Sequence, residues 1–235
     1  MQHLTDQHGN KFTLPASWAD VTTLQFCESD TMPDLDQRAA YFAGLPIPAG
    51  DKLDWMLTPP AAAPNLLDLG QCCFLAVETI RATLAEGELT KVFARVYGLY
   101  LACQLAQAYG KDFDPARAAE KAAACQAWPI TDTLPVVLHC IAELQRLAVA
   151  YAALAEPDPT DAARRAREAG ADELLGMFGH LNTANALSLK LGVTLDAAYQ
   201  LPYNTVCFYL LHDRQTAILA DNIQRNASKP DHAND

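Results

Sequence analysis

His139 and Glu143 stand four residues apart in a helical stretch, the spacing at which two side chains can reach one metal ion. They fall on the polar side of that helix, where Glu143 can pair with Arg146, so surface support is the expectation. Seven cysteines (Cys27, Cys72, Cys73, Cys103, Cys125, Cys140 and Cys207) raise the prospect of metal or disulfide chemistry. No two have C-x-x-C spacing, and an odd number spread along apolar faces reads as small buried hydrophobes in a reducing compartment. Adjacent Cys72 and Cys73 cannot share a helix face, which argues against a redox pair. No G-x-S-x-G, P-loop or H-E-x-x-H motif occurs, and titratable groups do not converge. The expectation is a non-enzymatic protein with no cofactor and no metal. His180 and Asn185 flank an apolar helical stripe, where such residues either satisfy neighbouring hydrogen-bonding groups or meet a partner, and they are carried as partner contacts.

Charge narrows the partners. The 235 residues carry a net charge of −11, with 51% hydrophobic and 19% charged residues, the balance of a globular chain. Residues 1–90 hold Lys11, Arg38, Lys52 and Arg81 against twelve acidic residues, which places −8 of that charge there. A duplex-binding surface needs clustered cations, so nucleic acid is not an expected partner. The dense basic run of Arg164, Arg165 and Arg167 reads as the solvated face of a helix opening. Apolar runs are broken by charge or glycine short of the roughly 20 residues a bilayer requires, and MQHLTDQHGN lacks the features of a signal peptide. No membrane role is expected, and a cytoplasmic location is.

The elements that carry these residues are nearly all helical. HLT and KFTL flank a Gly9-Asn10 turn and predict an amino-terminal β-hairpin ended by Pro15. Short helices are expected near Thr22–Phe26, from Pro33 to Gly44, and around Trp55 and Leu57, with the proline-rich stretch 58–64 as a boundary. Leu69, Cys73, Ala76, Ile80 and Leu84 recur at helical steps, and 91–109 is apolar on most sides, so it belongs at the centre of a bundle. Asp114-Pro115 opens another helix. Thr133 opens the next, striped by Val137, Cys140, Ile141, Leu144, Leu147, Ala148, Tyr151 and Leu154. After Pro157 and Pro159, Thr160 caps a helix ending at Gly170. One helix is expected over 172–191 with Leu174, Met177, Phe178, Leu181, Ala184, Leu187 and Leu191 on its core face, then a short Thr194-capped helix. Pro202 starts the last, which runs to about Arg225. The expected fold is a mainly α multi-helix bundle with a short amino-terminal β-hairpin. Its segments are a hairpin with short helices at 1–60, a central bundle at 65–155, a carboxy-terminal helical region at 161–226 and a fraying tail at 227–235.

The last helix is unusually rich in apolar groups: Tyr203, Val206, Cys207, Phe208, Tyr209, Leu210 and Leu211 follow almost without a polar gap. Such a helix is either central or pressed on a partner, and Tyr203, Phe208 and Leu211 are the expected contacts.

Two stretches carry a resemblance. In LTDQHGNKFTLPASWADVTTLQFCES, the phrase made by Leu14, Pro15, Ser17, Trp18, Val21 and Thr22 follows the hairpin, and QRAAYFAGLP supplies a helix with a glycine stop. Near the other end, Leu201-Pro202-Tyr203-Asn204-Thr205-Val206 opens the long helix. Together these stretches, roughly half the chain, resemble bacteriophage tail assembly chaperones, small and mostly helical proteins. The resemblance implies a protein of the host cytoplasm that binds and solubilises the helical tape-measure protein, with the tail tube protein as a further partner and with self-association. That family often makes its second region by a programmed frameshift, whereas both regions here lie in one chain. A structural component of the virion (neck, tail or baseplate) is the alternative reading.

Overall fold

The computed structural model describes residues 2–5, 11–14, 17, 20–23, 66–86, 89–176 and 178–228. The expected turn at 6–10, Pro15, Trp18, the helices at 33–44 and around Trp55, the boundary at 58–64, Met177 and most of the polar tail lie outside them. The molecule is mainly helical. Nine α-helices occupy the described residues: α1 (Phe74–Ala85), α2 (Leu89–Tyr109), α3 (Pro115–Cys125), α4 (Ile130–Ala150), α5 (Asp161–Glu168), α6 (Ala171–Gly176), α7 (His180–Leu191), α8 (Leu195–Tyr199) and α9 (Tyr203–Ala227). Two compact units divide the chain: Met1–Cys72 with Ala76–Gln145, and Cys73–Leu75 with Arg146–Asp235.

The first unit is built around α2. Val92, Phe93, Val96, Tyr97, Leu99, Tyr100 and Cys103 are all buried, which wraps burial around most of the helix. Gly98 faces α3 at very short range: a Cβ there would lie 2.6 Å from both Ala118 O and Ala122 N. Only a residue without a side chain permits this crossing. Asp114 caps α3 by accepting from Ala116 N at 2.9 Å, with Pro115 at its first position. Trp128 packs edge-on against Tyr97 at 5.5 Å.

A short bridge fastens residues 21–23 to the turn before α4. Ile130 N donates to Val21 O at 2.7 Å, and Thr23 N donates to Trp128 O at 2.8 Å. Thr23 Oγ1 also donates to Trp128 O at 3.0 Å and lies 2.8 Å from Thr133 Oγ1, with both threonines buried. By length and composition α4 is the one helix among the described residues that could cross a membrane, although Asp132, Glu143 and Arg146 interrupt its apolar run. Its Val136, Val137, Cys140 and Leu147 are buried, as in the core helix of a globular protein.

The single helix expected over 172–191 is two, α6 and α7. Gly179, at φ +41°, caps α7 in a conformation costly for any other residue, and the chain bends there. Consequently the expected core face divides as well. Ala184 and Leu187 are buried, whereas Leu174, Phe178 and Leu181 are exposed.

Candidate functional site

The residues with the best claim to chemistry bond to the protein's own backbone. His139 and Glu143 are half-buried rather than on an open surface, and both hold the backbone that leads into α1. His139 Nε2 lies 2.8 Å from Leu67 O, Leu69 N donates to Glu143 Oε2 at 3.2 Å, and Leu67 N donates to Tyr100 Oη at 2.9 Å. Part-buried backbone needs such partners, since a buried amide left without one costs about 1–3 kcal/mol. Burial pushes the Tyr100 phenol up to about 12, an effect partly offset by its bond from Leu67 N.

Cys72, Cys103, Cys125, Cys140 and Cys207 are buried and Cys73 half-buried. Burial pushes the Cys125 thiol up to about 12 and raises that of Cys140 further, so neither is a thiolate at neutral pH. Among the described residues no group of three or more His, Cys, Asp or Glu side chains could hold a metal ion. Of the arginine run, Arg164 pairs with Asp161 at 3.0 Å on the surface of α5.

The second unit offers a different resource. Its inner anchor is aromatic. Cys73 and Pro202 form an isolated β-bridge, and Phe74 N donates to Leu201 O at 2.8 Å. The Phe74 ring then stacks on Tyr199 at 6.3 Å and on Tyr203 at 6.1 Å. His180 meets Tyr199 edge-on at 5.8 Å, and Tyr151 Oη donates to Asn204 Oδ1 at 2.8 Å. Tyr203, expected as a contact, is thus 7% exposed and belongs to the core, together with Val206 and Cys207.

Outward from this anchor the surface is apolar. Ten of the twelve large hydrophobic residues exposed among those described lie in the second unit. On α9, Phe208, Leu219 and Ile223 are 64%, 60% and 61% exposed and share one side of the helix. Leu211 is half-buried at the edge of that side. On α7, Leu181, Asn185 and Leu189 follow at four-residue steps along one exposed row, which puts Asn185 between two leucines. His180 begins the same helix and is exposed despite its contact with Tyr199. The two helices are tied where Lys190 of α7 forms an ion pair with Asp213 of α9 and lies 5.3 Å from the Tyr209 ring centre.

Of the five expected contacts, Phe208, His180 and Asn185 therefore reach the surface, Leu211 does so in part, and Tyr203 does not. Leu189, Leu219 and Ile223 escaped notice. Leu219 and Ile223 carry a sequence signal, since they stand four apart on one side of a helix end whose other positions are mostly polar. Compared with protein-family models, curated proteins and solved structures, the chain matches none.

Proposed function

We propose that this chain is a non-enzymatic binding protein whose second unit receives an apolar helical segment of another protein. The supporting observation is the crowding of exposed large hydrophobics on α7, α9 and their neighbours, beyond the scattering expected of a monomer's surface. Rows of side chains at four-residue steps suit a helix laid alongside, through its own i, i+3 and i+4 contacts. With its sequence resemblance, the client in this reading is the tape-measure protein, held soluble in the host cytoplasm while a phage tail is assembled. The net charge of −11 favours a client with basic flanks. The finer fold reading belongs to the same proposal. Gln2–Thr5 against Lys11–Leu14 forms the antiparallel hairpin, with Gln2 opposite Leu14, and its edge is suited to a neighbouring chain.

The test is co-expression with the longest helical open reading frame encoded next door, followed by pull-down and size exclusion. A soluble complex that Phe208→Asp abolishes while the variant stays folded supports the proposal. Failure of the pair to associate, with this chain found in purified particles by mass spectrometry, replaces it with the virion-component reading.

A further inference from the structure

The 25 residues of α9 are anchored in two different ways. Residues 203–207 are held by the buried Tyr203, Val206 and Cys207. Beyond residue 211 no side chain of the helix is buried, and Ile218 is its one half-buried hydrophobe there. What fixes this distal half is polar: beside the ion pair of Asp213 with Lys190 of α7, it is held by residues 156–161. The Arg214 side chain, only 12% exposed, donates to Glu156 O at 2.6 Å and to Pro157 O at 3.1 Å. About two turns further on, Asp161 N donates to Asp221 Oδ1 at 3.3 Å. Arg225 lies 3.1 Å from Asp161 Oδ1 and 2.7 Å from Asp221 Oδ2, and donates to Pro159 O at 3.5 Å. The segment 156–161 and the distal half of α9 are therefore laced together by one set of bonds, most of them made by two arginines.

We propose that these contacts form a clasp, with Arg214 as its pin, and that 156–161 and 212–227 open together while the rest of the second unit stays folded. Apolar cores open with the whole fold, whereas a segment held by a few hydrogen bonds opens at lower cost. Arg214 carries the most because its two carbonyl partners, the backbone of two consecutive residues, lose both bonds at once when it is removed. Opening has a definite effect on the surface of α9. At 100° per residue, Leu211, Ile218, Phe208, Leu219 and Ile223 span an arc of about 140°. Ile218, at one edge of that arc, is half-buried while the clasp is closed, and release would expose the arc along its whole width. The clasp stands on geometry alone, and only its use in regulating access to a client rests on the proposed binding role.

Hydrogen exchange on the full chain, read peptide by peptide, tests it. In Arg214→Ala, peptides covering 156–161 and 212–227 should exchange about tenfold faster or more, the factor one charge-assisted hydrogen bond is worth. Peptides from 89–109 and 203–207 should keep their rates, and Arg81→Ala, which removes a surface pair with Glu78 in the other unit, should change neither segment. Arg225→Ala, at a more exposed position, should give the same pattern with a smaller factor and serves if Arg214→Ala fails to fold. Equal acceleration of every peptide in the second unit, or none in these two segments, overturns the clasp.

Discussion

Gly98→Ala is the sharpest test of how the first unit is packed. The added methyl would sit 2.6 Å from Ala118 O, 2.6 Å from Ala122 N and 2.8 Å from Ala122 Cα. Ordinary carbon contacts begin about 0.8 Å further out, and the atoms in the way are backbone, so α2 and α3 must separate. Moreover, Ala118 O and Ala122 N are four apart in α3 and face the same methyl, which puts a turn of the helix ladder under the same pressure. Overpacking of this kind costs about 1–3 kcal/mol, and the gain from replacing glycine inside a helix returns up to about 1 kcal/mol. Because rigid atoms must give, the upper part of the range applies, and the net loss should be about 2 kcal/mol, or 4–8 °C in Tm. All three tryptophans fall in the span of the first unit, so denaturation followed by their fluorescence reports on it. Gly176→Ala is the matched control, since nothing lies within 4 Å of its added Cβ and its φ is ordinary. Should Gly98→Ala be as stable as the parent while Gly176→Ala is also neutral, the close crossing of α2 and α3 is wrong.

Three further outcomes follow from buried and surface groups. The Tyr97 hydroxyl is buried with no hydrogen-bond partner, so Tyr97→Phe should be neutral or stabilising by about 1 kcal/mol in urea denaturation; a clear loss would reveal a partner for it. Tyr203→Ala should cost about 3–5 kcal/mol through its lost packing on Phe74, whereas Phe208→Ala should stay within about 0.5 kcal/mol and act on binding alone; comparing their melting curves separates core from surface. The Thr160 amide holds the Asp158 carboxyl below its usual value, and Lys190 does the same for Asp213. Depressed carboxylates give stability that is present above about pH 4 and lost as pH falls through the folded values. Asp132 of the first unit is shifted upward by burial, so its charge is a penalty that acid relieves. Between about pH 4 and pH 3, Asp158→Asn and Asp213→Asn should therefore lose less stability than the parent in melts followed by circular dichroism, and equal losses would contradict this.

Much of the helical layout was readable because it is encoded locally. Asp114, Thr160 and Thr194 each cap a helix through the side-chain oxygen, and Gly192 ends α7 at φ +65°, as their residue types and positions suggest. The burial around α2 likewise follows from apolar residues on most of its faces. Two things did not follow. Periodicity ran straight through residues 176–179, because Leu174, Phe178 and Leu181 keep helical spacing on both sides of a bend. Only the left-handed backbone at Gly179 ends the run, and spacing carries no information on backbone angles. The spacing of His139 and Glu143 predicts surface support because their partners, Leu67 O and Leu69 N, are 72 and 74 residues away in the chain. A sequence displays polar side chains but not which distant backbone groups need them. The apolar surface was half legible for a related reason: an amphipathic face can be identified locally, but what covers it cannot.

The bridge between Val21–Thr23 and Trp128–Ile130 sets an order of events during synthesis. Thr23 reaches Trp128 and Thr133 across 105 and 110 residues. At about 5–20 residues per second, a ribosome needs roughly 5–20 s to supply those partners. Until then residues 21–23 have no docking site, although α2 and α3, whose contacts are nearer in sequence, can already pair. A nascent chain stalled before Trp128 would carry Val21 and Thr23 without these bonds and open to proteases. Limited proteolysis of stalled chains of graded length should therefore show protection near residues 21–23 only after α4 has emerged.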